Sequence, residues 1–155
     1  MTISRNLTVD LNGPQWLVVH KAFSGISPEG LMRWFIDPSL LNRWWAPAVT
    51  VDPVVGGTWE MAWPSLSRVL TGQIVELTPT SLIVSWVWSN EPALPARVLV
   101  VRSEPSADGV VLRLSQGPYR QGEAFPDEDA DRASHIEGWE FFLPKLRAAI
   151  ASGTS

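Results

Sequence analysis

From Ala48 to Gly117 apolar and polar residues alternate with a period of two, interrupted by turn residues at short intervals, and no stretch within it has the length or spacing of a helix. Such a segment can satisfy its backbone only as a meander of antiparallel strands. The strands are expected near 48–55, 57–63, 67–78, 81–89, 94–103 and 109–116. Their separators are Gly56-Gly57, Pro64-Ser65, Pro79-Thr80, the proline-bearing Asn90 to Pro95, and Asp108-Gly109, the first and last having the composition of hairpin turns. Side chains alternate across a strand, so Trp59, Met61 and Trp63 share one face, as do Leu82, Val84, Trp86 and Trp88, while Leu112 and Leu114 align with Gln116.

The flanks supply the helices. Gln15 to Phe23 is rich in β-branched and aromatic residues and reads as a strand, preceded by Ile3 to Leu11 as an extra strand or arm. Ser27-Pro28-Glu29 combines a capping hydroxyl, a proline at the first helical position and an acid near the positive end of the dipole. Asp37-Pro38 repeats that signal, and the second short helix stops at Pro47. Beyond Gly117 a polar loop through Tyr119 and Phe125 reaches Pro126-Asp127, where Glu128, Asp129 and Asp131 suit the solvated first turn of a helix. Arg132, Ile136, Trp139, Leu143, Leu146 and Ile150 then fall on one stripe, with His135 and Phe142 on its flank. Pro144 lies outside the stripe and should bend this helix around its partner, and Gly138 suggests close approach of another element. Residues 1–14 are taken as an arm or extra strand, 15–151 as one domain, and 152–155 as a frayed tail.

One strand, two short helices, further strands and a long helix make an α+β chain in which a single helix covers one face of a curved antiparallel sheet of about six or seven strands. A chain of 155 residues suffices for one such core. Nine of these residues are tryptophan, against five phenylalanines and one tyrosine, more aromatic surface than a minimal core requires. The net charge of −4 argues against a nucleic-acid backbone or an anionic membrane surface as partner. Cysteine is absent, which removes thiolate nucleophiles and the common structural zinc sites and fits a cytoplasmic setting. Met1 to Pro14 contains no apolar run that reads as a signal peptide or membrane anchor.

The chain resembles the START-like (SRPBCC) superfamily, in the branch of the heat-shock-protein ATPase activator homologues. The residues carrying the resemblance are Pro28, Asp37-Pro38, Trp44-Trp45-x-Pro47, Gly56-Gly57, Gly72 with the Glu76-x-x-Pro79 turn, Trp86, and His135-x-x-Gly138-Trp139 followed by Leu143 and Leu146. The similarity runs from Trp16 to Ile150 and implies a helix-grip fold, also described as START-like or Bet v-like, with a hydrophobic ligand cavity between sheet and helix. Gln116 stands where related sequences often carry a histidine, so no acid/base role carries over to that position. The Asn90 to Pro95 connection and the proline in the final helix also depart from the family pattern.

The reading that follows is a binding protein for a small hydrophobic molecule, aromatic or lipid-like. Its wall is expected from Trp59, Met61, Trp63, Val84, Trp86 and Leu112 on the sheet and from His135 and Trp139 on the helix. Gln116, Arg132 and His135 supply polar groups to orient the ligand. The plain structural alternative is that these rings fill the core and leave no room. A cyclase- or dehydratase-type enzyme is the second alternative, with His135 the best acid/base candidate, and a cochaperone-like interaction domain the third. No serine triad, phosphate-binding glycine loop or metal-ligand cluster is visible, so neither metal nor cofactor is expected. Self-association into a homodimer is left open.

Overall fold

The computed structural model describes residues 7–89, 97–120, 125 and 127–152. The Asn90 to Pro95 connection, the start of the strand expected at 94–103, Pro126, residues 1–6 of the N-terminal arm and residues 153–155 of the expected tail lie outside the described residues. The elements follow the chain as β1 (Thr8–Asn12), β2 (Leu17–Ser24), α1 (Pro28–Ile36), α2 (Pro38–Trp44), β3 (Ala48–Val51), β4 (Thr58–Trp63), β5 (Arg68–Thr78), β6 (Ser81–Trp88), β7 (Arg97–Ser106), β8 (Gly109–Gly117) and α3 (Glu128–Ser152).

The strands form one antiparallel sheet of eight, in the order β1-β2-β8-β7-β6-β5-β4-β3. This is the helix-grip arrangement, with one strand more than the sequence pattern predicts because the arm contributes β1. Asp10 on β1 fixes that strand: its carboxylate lies 2.7 Å from His20 Nδ1 on β2 and 3.2 Å from Arg113 Nη1 on β8. The strand expected over 48–55 ends at Val51, since the chain turns through Val54 and Gly56, whose φ of 88° suits glycine. At Gly72 a Cβ would overlap the carbonyl oxygen of Ser85, so only glycine lets β5 lie this close to β6.

Both short helices form where the capping signals stand. Ser27 Oγ accepts from Gly30 N at 2.9 Å, and Asp37 Oδ1 accepts from Ser39 N at 2.9 Å. Asn42 closes α2 by donating to the carbonyls of Ala46 (3.1 Å) and Pro47 (2.7 Å). Between these helices, the sheet and α3 lies the core, in which Leu31, Phe35, Trp59, Met61, Val84, Leu112, Leu143 and Leu146 are fully buried.

α3 runs through Pro144 without interruption and buries Ile136, Trp139, Leu143, Leu146 and Ala149. Two expectations about it need correction. Glu128 does not face solvent: it is 5% exposed, accepts from Arg97 Nη2 at 2.7 Å, and takes the backbone and Nε of Arg120 at 2.7 and 2.9 Å. This clasp joins the start of α3 to β7 and to the strand β8 exit. Nor does another element press on Gly138, where an added Cβ would meet nothing within 4 Å among the described residues. The reason is a cavity at that position. No helix among the described residues is long and apolar enough to cross a membrane.

Candidate ligand site

The cavity, about 280 Å³ and open on one side, lies between the β4–β6 part of the sheet and the first half of α3. Its lining comprises Trp45, Trp63, Leu66, Arg68, Trp86, Trp88, Gln116, Asp131, Ser134, His135, Gly138, Trp139 and Phe142. Five of the ten residues singled out from the sequence are brought together there: Trp63, Trp86, Gln116, His135 and Trp139. The other five are elsewhere. Trp59, Met61, Val84 and Leu112 are 0% exposed and sit in the sealed core beneath the cavity. Arg132 is drawn away from it, donating to Asn12 Oδ1 at 2.7 Å and Asp129 Oδ1 at 2.9 Å.

Period-two reasoning placed Trp59 and Met61 on the correct face but could not say how far along the strand the helix seals the sheet. β4 is covered at Trp59 and opens at Trp63, which remains only partly buried. Trp45 escaped notice because the Trp44-Trp45 pair reads simply as the apolar end of a short helix. Adjacent helical residues point about 100° apart. Trp44 therefore turns to the core, where its indole donates to Trp34 O at 3.0 Å, while Trp45 turns to the cavity and touches Trp86 and Trp139 at ring separations of 6.0 and 5.1 Å. Arg68, its guanidinium 4.3 Å above the Trp88 ring, lies at the rim.

The polar groups are arranged by a chain of hydrogen bonds. Trp139 Nε1 donates to Gln116 Oε1 at 2.7 Å, and because an indole N–H can only donate, this contact fixes the orientation of the Gln116 amide. Its Nε2 then faces the other way, buried and without an acceptor among the described residues. Trp86 Nε1 is in the same condition.

Tyr119, in the loop after β8, brings its hydroxyl 2.7 Å from His135 Nδ1. Burial raises the Tyr119 phenol above its ordinary value, an effect that the nearby Arg97 and Arg132 charges only partly oppose, so it stays protonated. Burial likewise lowers His135 to about 3, with Arg97 adding to the effect, so the imidazole is neutral near pH 7. The Tyr119 proton has no other acceptor among the described residues, so it goes to Nδ1 and Nε2 carries the imidazole hydrogen. No sequence signal paired Tyr119 with His135, since a loop residue has no periodicity to reveal its direction. Glu128 completes the surroundings: burial works against its ionised form, but the hydrogen bonds from Arg120 and the charge of Arg97 outweigh it and hold the carboxyl below its usual range.

Among solved structures, a protein from Mesorhizobium loti superposes with a TM-score of 0.77 at 22% identity, covering 91% of this chain and 100% of that one. An HSP90 activator from Plasmodium falciparum gives 0.69 at 20% identity, covering 88% and 96%. DynU16, a protein of the dynemicin biosynthetic locus, gives 0.74 at 13% identity, covering 90% of this chain and 48% of that one. At these identities the likeness establishes the fold. No curated protein matches the chain. The family described as Activator of Hsp90 ATPase homolog 1-like protein matches residues 26–151, most of the sequence, and the chain belongs to that family, within the START-like superfamily.

Proposed function

We propose that this protein binds a small, mainly apolar molecule with an aromatic body, held between the sheet and α3. The observation that carries this reading is the cavity itself, about 280 Å³ and walled by the rings of Trp45, Trp63, Trp86, Trp88, Trp139 and Phe142. A volume near the lower end of the range for ligand pockets, roughly 300 to 1,000 Å³, suits a ligand of two or three rings. Indoles on several sides offer offset-stacked and edge-on contacts to such a body.

The site's chemistry favours binding over acid/base catalysis. A general base needs an available lone pair, yet Nδ1 of His135 is occupied by Tyr119 and Nε2 carries hydrogen. Titration of the chain with a panel of polycyclic aromatics tests the proposal. Ligands that fit should quench tryptophan fluorescence and raise the melting temperature; a flat response across the panel would overturn it.

Family membership supports a second reading, activation of a chaperone ATPase, because one structural neighbour is an HSP90 activator. Its test is ATPase stimulation by a large excess of this chain. No stimulation at any ratio dismisses it.

A further inference from the structure

We infer that the ligand carries a hydrogen-bond acceptor oxygen, a carbonyl or its equivalent, on an otherwise apolar aromatic frame. This deepens the proposed binding function and rests on it. The cavity's inner polar atoms are sorted by type. Gln116 gives its oxygen to Trp139 at 2.7 Å, and His135 gives Nδ1 to Tyr119 at 2.7 Å. Acceptors are thus consumed inside the protein, and two donors are left open on residues of the lining: the Gln116 amide nitrogen and the Trp86 indole N–H. Asp131, the carboxylate on the lining, already faces Arg97 at 3.8 Å.

An unmatched buried donor costs about 1–3 kcal/mol, and native proteins keep few of them. Here two occur on side chains 4% and 1% exposed, Trp86 and Gln116, both on the lining of one cavity. Of the five cavity tryptophans, only Trp86 has an indole N–H that is both buried and unmatched among the described residues. A ligand oxygen seated against this wall satisfies donors that the fold leaves open.

Fluorenone and fluorene test the inference, since they are flat three-ring molecules of similar shape and only the first has a carbonyl oxygen. An apolar cavity with no matching donors ranks fluorene first, because burying an unpaired carbonyl is unfavourable. The proposal predicts the opposite order. In calorimetric titrations of the full chain, fluorenone should bind about tenfold more tightly than fluorene. The indole N–H resonance of Trp86 and the side-chain amide of Gln116 should move with fluorenone and stay with fluorene.

In Trp86→Phe, and in Gln116→Glu, which keeps an acceptor for Trp139 Nε1 but removes the amide donor, the ratio of the two affinities should fall toward one, fluorene binding reporting in each case whether the cavity survives. Equal binding of the two molecules by the unmodified chain overturns the inference and leaves the apolar cavity standing. Binding of neither overturns the inference and the proposed function together. A preference for fluorenone that neither substitution alters also overturns it, because the selecting donors would then not be these.

Discussion

Two groups of indole rings meet at Trp45, and they have different fates. On the α1–α2 side, Trp44 and Trp59 are sealed, and each N–H reaches a backbone carbonyl, Trp34 O at 3.0 Å and Phe35 O at 2.9 Å. On the other side Trp63 and Trp88 stay half-buried, and Trp86 has a buried N–H with no acceptor among the described residues. Residue type is the same on both sides. What separates core from site is whether a neighbouring element closes over the ring, since Trp63 on the open side also donates to a backbone carbonyl, Trp45 O at 3.1 Å. In the sealed group the indole is a brace, bonded to a helix terminus; in the open group it is a wall.

The sharpest way to break this comparison is to truncate one ring from each group. Trp59→Ala should cost about 3–5 kcal/mol of unfolding free energy, read by chemical denaturation, because it empties a closed space and strands the Phe35 carbonyl. A cost below about 1 kcal/mol would erase the distinction.

Acidity probes the cavity side alone. His135 is held at about 3 when folded and returns to 6.5 when unfolded, so between these values the unfolded chain binds more protons. Stability should therefore be complete above 6.5 and fall as pH drops toward 3, by up to about 1 kcal/mol per pH unit. His135→Gln, which can still accept from Tyr119, should flatten that slope; an unchanged slope would place the effect elsewhere.

Trp88→Ala at the open wall should lower stability by about 1 kcal/mol or less while weakening aromatic ligands several-fold. Smallest is Gly138→Ala. With open space where the Cβ goes, the helix should gain about 0.5–1 kcal/mol, and ligand affinity should drop because the methyl enters the cavity.

The fold was legible from local rules because its elements carry their own punctuation. Ser27-Pro28 and Asp37-Pro38 start the two helices they announce, and the alternation of Trp59 and Met61 or of Leu82, Val84 and Trp86 gives the buried face of the strands. β7 runs on through Pro105 to Ser106, past the end expected at 103, because a proline beside the hairpin end disturbs little of the ladder. The site was only half legible. Whether an inward side chain touches helix or void depends on where α3 crosses the sheet, and that is a tertiary quantity. Hence Trp63 and Trp59, two turns of the same alternation, part company, and Gly138 marks a hollow instead of a contact. Tyr119 and the clasp of Glu128 by Arg97 and Arg120 were invisible for the same reason, since each joins segments that share no pattern.

The two rims of the sheet are its shortest strands, β1 with 5 residues and β3 with 4. Any foreign chain annealing there finds a landing strip too brief to hold it, and on β1 the tethered charge of Asp10 interrupts even that. Crowded solutions of this protein should accordingly stay clear of fibrous, strand-to-strand growth, whatever the rings inside are holding.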